Sequence, residues 1–202
     1  MTAIHGIFFD LGNVLVMYDA KIALRKLADE FRVPEEEIWQ YVFLSDLERS
    51  YTKGQVSSRD FFLQLAGRFP SPLDFNRFSE IWNSIFWENK GMEELVKSLA
   101  RSYKMCLISN TNELHFEYVR KKFTVVSHFN RLFPSHEVGH RKPEAGIFMR
   151  ALNETQLKPE EVVFIDDVLE FVEGARSLGI HSLHFTGREK LEEELRSLRI
   201  KF

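Results

Sequence analysis

The 202-residue sequence has one cysteine, Cys106, so it has no intramolecular disulfide and fits a reducing compartment. It has no excess of positive charge: 27 Lys and Arg stand against 30 Asp and Glu, a formal net charge of −3. A general nucleic-acid binder would need a strongly basic face, and that class is set aside. No run approaches the ~20 apolar residues that span a bilayer, and Met1–Gly6 lacks the basic start and apolar stretch of a secretory leader. The sequence contains no internal repeat and no low-complexity tract. What is present is an ordinary globular mixture, 44% hydrophobic and 28% charged, which excludes a wholly disordered chain. The expectation is a soluble, cytoplasmic protein.

The rhythm of apolar residues divides the chain. Ile4 to Phe9 is a nearly continuous apolar run ending in Asp10-Leu11-Gly12-Asn13, the pattern of a strand buried on both faces followed by a turn. From Asp19 to Asn89 the period is helical. Leu24, Leu27, Ala28 and Phe31 fall at i, i+3, i+4 and i+7, and Phe78, Ile81, Trp82, Ile85 and Phe86 extend to i+8. Pro34 before Glu35-Glu36-Glu37, and Ser57 three residues before Asp60, read as helix starts. Some four helices and no strand are expected there. After residue 90, helix and strand alternate. Strands are expected at Tyr103–Ile108, around Leu132-Phe133, at Val162–Ile165 and at Ile180–Phe185. Single helices between strands imply a parallel sheet covered on both faces. The expected fold is α/β: a three-layer Rossmann-like parallel-sheet core, residues 1–16 and 90–202, with an all-helical cap, residues 17–89, inserted after the first strand.

Ligands of open parallel sheets bind beyond the carboxyl ends of the strands, and the notable polar residues fall there. Asp10 ends the first strand, Ser109 and Asn110 the second, Asp166 and Asp167 a later one, and Lys142 precedes Pro143 at a helix start. Three carboxylates on one edge repel unless a cation or protons intervene. Hard oxygen ligands of this kind suit Mg²⁺, which completes its shell with waters and a substrate phosphate. The Ser109 hydroxyl, the Asn110 amide and the Lys142 ammonium supply donors opposite, a set suited to phosphoryl transfer.

Phe8-Phe9-Asp10-Leu11-Gly12-Asn13-Val14-Leu15, Ser109-Asn110-Thr111, Lys142-Pro143 and Phe164-Ile165-Asp166-Asp167 resemble the four ordered motifs of the haloacid-dehalogenase-like (HAD) hydrolase superfamily. The resemblance runs over the whole chain, with the helical segment in the place of that superfamily's small cap. It implies Asp10 as the nucleophile forming an aspartyl-phosphate. It further implies Mg²⁺ held by Asp10, the backbone carbonyl of Gly12 and Asp167, with Asp166 supporting a metal-bound water or Lys142. Ser109, Asn110 and Lys142 hold the phosphate in this reading, and Lys142 also neutralises the nucleophile. Two positions depart from the pattern. Many family phosphatases carry a second aspartate, the general acid, where this chain has Gly12; the glycine is expected to open space for a water. Phe171 stands where an asparagine is common and is read as a packing change. Some subgroups, sugar-phosphate phosphatases among them, share the Asp-Leu-Gly-Asn-Val motif.

Each feature also has a plainer reading. Asp-Leu-Gly-Asn suits a turn; Ser109-Asn110 or Asp166-Asp167 would cap the helices that follow them; Lys142 would sit in a solvated loop. Cys106 belongs to an apolar strand and reads as core. His136 and His140 lie in a loop placed to approach the site. The aromatic stripe Phe75, Phe78, Trp82, Phe86 reads as cap core, and Ser45–Gly54 as a solvated loop, although the resemblance places it facing the site with Arg49 and Lys53 reading the leaving group. The expectation is a Mg²⁺-dependent phosphatase of small phosphorylated metabolites, sugar phosphates among the candidates. Its partners are a small-molecule phosphate ester, no nucleic acid and no membrane, in a monomer or weak homodimer. The rivals are a phosphatase-derived binding module without activity and a 2-haloacid dehalogenase, which typically carries a tyrosine where Gly12 stands.

Overall fold

The computed structural model describes residues 2–202. Seven strands occur among them: β1 (Gly6–Phe9), β2 (Val16–Tyr18), β3 (Phe86–Glu88), β4 (Lys104–Ser109), β5 (Arg131–Pro134), β6 (Val162–Asp166) and β7 (His181–His184). Five of them form a parallel sheet of order β5-β4-β1-β6-β7. β1 is central, and Ile7 and Phe9 point to one face while Phe8 points to the other. All three are fully buried, which is why the run reads as continuously apolar instead of alternating.

The helices are α1 (Ala20–Phe31), α2 (Glu35–Trp39), α3 (Leu47–Thr52), α4 (Ser58–Arg68), α5 (Phe75–Asn83), α6 (Met92–Leu99), α7 (Glu113–Lys122), α8 (Ser135–Val138), α9 (Ala145–Thr155), α10 (Leu169–Ser177) and α11 (Arg188–Ser197). Leu95 and Leu99 of α6, Phe116 of α7 and Leu191 of α11 pack on the Ile7 face. Ile147 and Phe148 of α9 and Ala175 of α10 pack on the Phe8 face. The result is the three-layer α/β arrangement expected from the alternating pattern.

The helices between β2 and β3 share a separate apolar cluster built on Leu27, Ile38, Phe61, Leu65, Phe78 and Ile81. Local chemistry sets their starts. The Asp19 and Asp74 side chains accept the N–H groups of Lys21 and Arg77, and Ser57 accepts that of Asp60 as its spacing predicts. Two expectations need correction here. Phe86 is not the last turn of a helix: α5 ends at Asn83, and Phe86–Glu88 pairs antiparallel with Val16–Tyr18. A three-residue strand is too short to display a period of two, and its pairing partner lies far away in sequence. Ser45–Gly54 is not a solvated loop, because it contains α3 with Leu47, Tyr51 and Thr52 buried. Between α2 and α3, Gln40–Leu44 forms a π-helical turn. No described helix is long and apolar enough to cross a membrane.

Candidate active site

The sheet order makes β1 a switch point, since β4 and β6 lie on opposite sides of it and the connections diverge, opening a crevice at the carboxyl ends. Asp10 follows β1, and its N–H donates to the Ile165 carbonyl (2.9 Å), so the ladder with β6 fixes where its side chain starts. Ser109 ends β4 and Asp166 ends β6. Lys142 arrives from the loop between α8 and α9.

The Lys142 ammonium donates to Asp10 Oδ1 at 2.5 Å and to Asp166 Oδ2 at 2.6 Å. All three groups are buried, Asp166 and the Lys142 side chain almost completely. Breaking one partner from such a group leaves an uncompensated buried charge. Burial raises the Asp10 carboxyl to about 7; the Lys142 charge opposes the rise and the Asp166 charge adds to it. Burial would lower Lys142, but the two carboxylates outweigh it and hold the ammonium above its ordinary value. The same nitrogen lies 5.2 Å from the Phe171 ring centroid. Phe171 is therefore more than a packing change on its helix, since its ring meets the ammonium directly.

Asp166 accepts the Val168 N–H with its other oxygen, 2.8 Å away. Asp167 is half-buried and accepts from the Asn13 amide at 3.3 Å. Burial, then the neighbouring Asp166 charge, raises its pKa. One carboxylate oxygen from each of Asp10, Asp166 and Asp167 lies within 4.8 Å of the others. Three hard oxygen donors so close, two of them with raised pKa values, form a set that a small divalent cation fits.

Asn110 also makes contacts with the Lys142 peptide. Its amide nitrogen donates to the Lys142 carbonyl (2.9 Å), and its oxygen accepts the Lys142 N–H (2.8 Å). The side chain thus holds the lysine peptide in place while the residue also lines the cavity. Ser109 and Asn110 do not cap α7; Asn112 does, accepting the His115 N–H at 3.0 Å. That leaves the buried Ser109 hydroxyl facing the crevice beside Asp10 and Lys142.

The cavity above these groups has a volume of about 190 Å³, room for a small molecule. Asp10, Gly12, Ser109, Asn110, Lys142 and Asp167 all line it. His136 and His140 do not. The His136 ring packs on Phe116 and faces the Thr111 carbonyl, and His140 is exposed beside Glu144. Arg49 and Lys53 also lie outside it, both paired with Glu144 (3.5 and 2.7 Å). Their helix turns Glu48 and Thr52 toward the cavity instead.

Sequence reasoning missed Tyr18, Phe43 and His115. A Cβ on Gly12 would stand 2.7 Å from Tyr18 Cε1. The space expected to admit a water is occupied by that ring. His115 lies 5.1 Å from the Trp82 ring, stacked upon it. Its Nε2–H donates to the Trp82 carbonyl (3.0 Å), which fixes the neutral tautomer with Nδ1 facing the Asn112 amide. Its one sequence signal was its place three residues after Asn112, the spacing of a helix cap.

The chain is 23% identical to a D-ribitol-5-phosphate phosphatase of Bacteroides thetaiotaomicron, over 89% of this chain and 90% of that one. It is 25% identical to the sesquiterpene phosphatase astK of Aspergillus oryzae, over 98% and 97%. It is 27% identical to the drimenol cyclase drtB of Aspergillus calidoustus over 96% of this chain, but spans only 36% of that protein's length. Among solved structures, a HAD family enzyme of B. thetaiotaomicron in complex with magnesium and inorganic phosphate superposes with a TM-score of 0.83 at 25% identity, covering 92% and 96% of the two chains. The family model for haloacid dehalogenase-like hydrolases matches residues 7–185. The chain thus belongs to the family of haloacid dehalogenase-like hydrolases.

Proposed function

We propose that the protein is a Mg²⁺-dependent phosphatase that hydrolyses monoesters of a small alcohol through an aspartyl-phosphate on Asp10. The observation that carries this reading is the Lys142 ammonium bonded to both Asp10 and Asp166 beside Asp167. The phosphatase names of two relatives and the magnesium and phosphate of the structural neighbour support it.

In the first step an Asp10 carboxylate oxygen attacks phosphorus. The oxygen–phosphorus bond forms as the bond to the alcohol oxygen breaks, and that oxygen leaves with the electron pair and takes up a proton. In the second step a water attacks phosphorus, Asp10 is restored and inorganic phosphate departs. Asp10, Asp167 and the Gly12 carbonyl would hold Mg²⁺, which supplies positive charge to the transferring group and to the nucleophile. Lys142 keeps Asp10 in its reactive rotamer and offers its charge to the phosphoryl oxygens, and Ser109 supplies a hydroxyl donor. Asn110 serves by fixing the Lys142 backbone. Asp166 fits the role of lysine support, since both its oxygens face protein donors.

Residues 17–89 act in this reading as the cap over a core of 1–16 and 90–202, with the β2–β3 pair as the stem that joins them. The cap excludes bulk water and carries the contacts to the leaving group. The reading is tested by phosphate release from p-nitrophenyl phosphate with and without Mg²⁺. Turnover that disappears on chelation and returns with Mg²⁺ supports it. Ligand binding without turnover in any metal would favour a binding module, and metal-independent halide release would favour a dehalogenase.

A further inference from the structure

The cavity is built from two chemistries. The sheet edge supplies charged and hydroxyl groups, whereas the part formed by α1, the π-helical turn, the end of α5 and the start of β3 is apolar: Ala20, Ala23, Phe43, Trp82, Ile85 and Phe86 line it. Polar residues also occur there, but their donors are engaged within the protein. Both ring nitrogens of His115 have partners, and the Asn112 amide serves His115 at both ends. The Thr52 hydroxyl donates to the Glu48 carbonyl at 2.9 Å. The Trp82 indole N–H is unpaired, but its nitrogen is sealed from solvent. Glu48 gives one oxygen to Arg141 (2.9 Å). The Thr111 hydroxyl faces the Asn112 carbonyl at 3.5 Å. What remains is the second Glu48 oxygen and the hydroxyl of Tyr18, whose ring fills the space beside Gly12.

We infer that the leaving-group half of this cavity selects apolar alcohols: the substrates are phosphate monoesters of compact aliphatic, alicyclic or aromatic alcohols bearing at most one further hydroxyl, and polyol phosphates are disfavoured. The inference rests on the phosphatase reading above and narrows its substrate class. A sugar placed here loses water from several hydroxyls and finds partners for about one, and each hydroxyl buried without a partner weakens binding. An apolar ring of the same size exchanges water for contact with Phe43, Trp82 and Ile85 and gains affinity.

A matched pair tests this. Cyclohexylmethyl phosphate and glucose 6-phosphate share a six-membered ring and a primary phosphate ester, so the chemistry at phosphorus is nearly constant while the hydroxyls differ. The full chain with Mg²⁺ is expected to show a kcat/KM for cyclohexylmethyl phosphate greater by about tenfold or more, with the same order of affinities by calorimetry. Phe43→Asn, at a half-buried position, is expected to shrink that ratio while thermal melting confirms a folded protein. Equal or reversed ratios, a ratio unmoved by Phe43→Asn, or no measurable binding of cyclohexylmethyl phosphate would overturn the inference. If neither these esters nor p-nitrophenyl phosphate is hydrolysed, the phosphatase reading fails, and the calorimetric ratio still decides the cavity's preference.

Discussion

Tyr18 occupies the space into which a side chain at Gly12 would project, its Cε1 only 2.7 Å from where a Cβ would lie. The two residues meet because Asn13, with φ of 55°, turns the chain back so that Val16, the first residue of β2, bridges to Gly12. Gly12→Asp therefore does not simply supply a missing acid. The Tyr18 ring must swing away and give up its contact with Phe86, 6.1 Å between centroids. Overpacking of this kind costs about 1–3 kcal/mol. In urea melts Gly12→Asp is expected to destabilise the protein, and Tyr18→Ala in the same chain to recover about 1 kcal/mol of that loss. Additive effects would show that the ring and the new side chain do not compete.

The aspartates of the pair are expected to behave differently. Asp167→Ala should raise the Mg²⁺ concentration needed for half-maximal turnover while leaving the melting temperature near that of the wild type. Asp166→Ala leaves the buried Lys142 with one partner and should destabilise the protein by about 3–5 kcal/mol. The paired measurements are a Mg²⁺ titration of activity and a urea melt for each variant. The reverse ranking would exchange the roles assigned to the two residues.

Asn110→Ala removes both bonds to the Lys142 peptide, 2.8 and 2.9 Å. Losing them should lower kcat far more than it raises KM, because the lysine loses its position while the phosphate keeps its other donors. A pure KM effect, measured by steady-state kinetics, would show that Asn110 binds phosphate directly.

His115 gives a pH dependence of stability. Burial lowers its pKa from 6.5 to about 4, with the Trp82 carbonyl partly opposing the shift. The unfolded chain then binds a proton more readily than the folded one between those values. This contribution is complete above pH 6.5, declines as the pH falls, and is lost near pH 4. Because the ring borders the cavity, the loss should be about 2 kcal/mol, less than the full shift implies. Urea midpoints at about pH 7 and about pH 4.5 should differ more for the wild type than for His115→Gln. Equal differences would remove His115 from the explanation.

Arg49 and Lys53 bind Glu144 on the outside of the cavity. Alanine at either position should change kcat/KM by a similar factor for every ester, within about twofold for the exposed Arg49, because neither side chain lines the cavity that holds the leaving group. Substrate-dependent losses across a panel of esters would return these residues to the leaving-group contacts.

The parts of this site visible in the sequence are those that local pattern determines. Apolar runs end at Asp10, Ser109 and Asp166, and a parallel sheet must bring such ends to one edge. Lys142 was legible through its motif, although its bonds to Asp10 and Asp166 depend on the loop that delivers it. The apolar wall was not legible. Trp82 and Ile85 follow the same helical period as buried Phe78 and Ile81, and period alone does not say which member of a stripe faces a cavity. Phe43 reaches the cavity through a π-helical turn, whose spacing departs from the usual helical period. Asn110 shows the same limit, because residue type at a strand end does not disclose the bonds its side chain makes to the Lys142 peptide.

The most direct test of the account concerns the covalent intermediate. The protein with Mg²⁺ is mixed with excess substrate, quenched in acid during turnover and digested for mass spectrometry. The account predicts one added phosphoryl group on the peptide containing Asp10, and none in Asp10→Asn, which should be folded but inactive. Phosphate release with no modified peptide, modification at another residue, or turnover by Asp10→Asn within about a factor of ten of the wild type would contradict it.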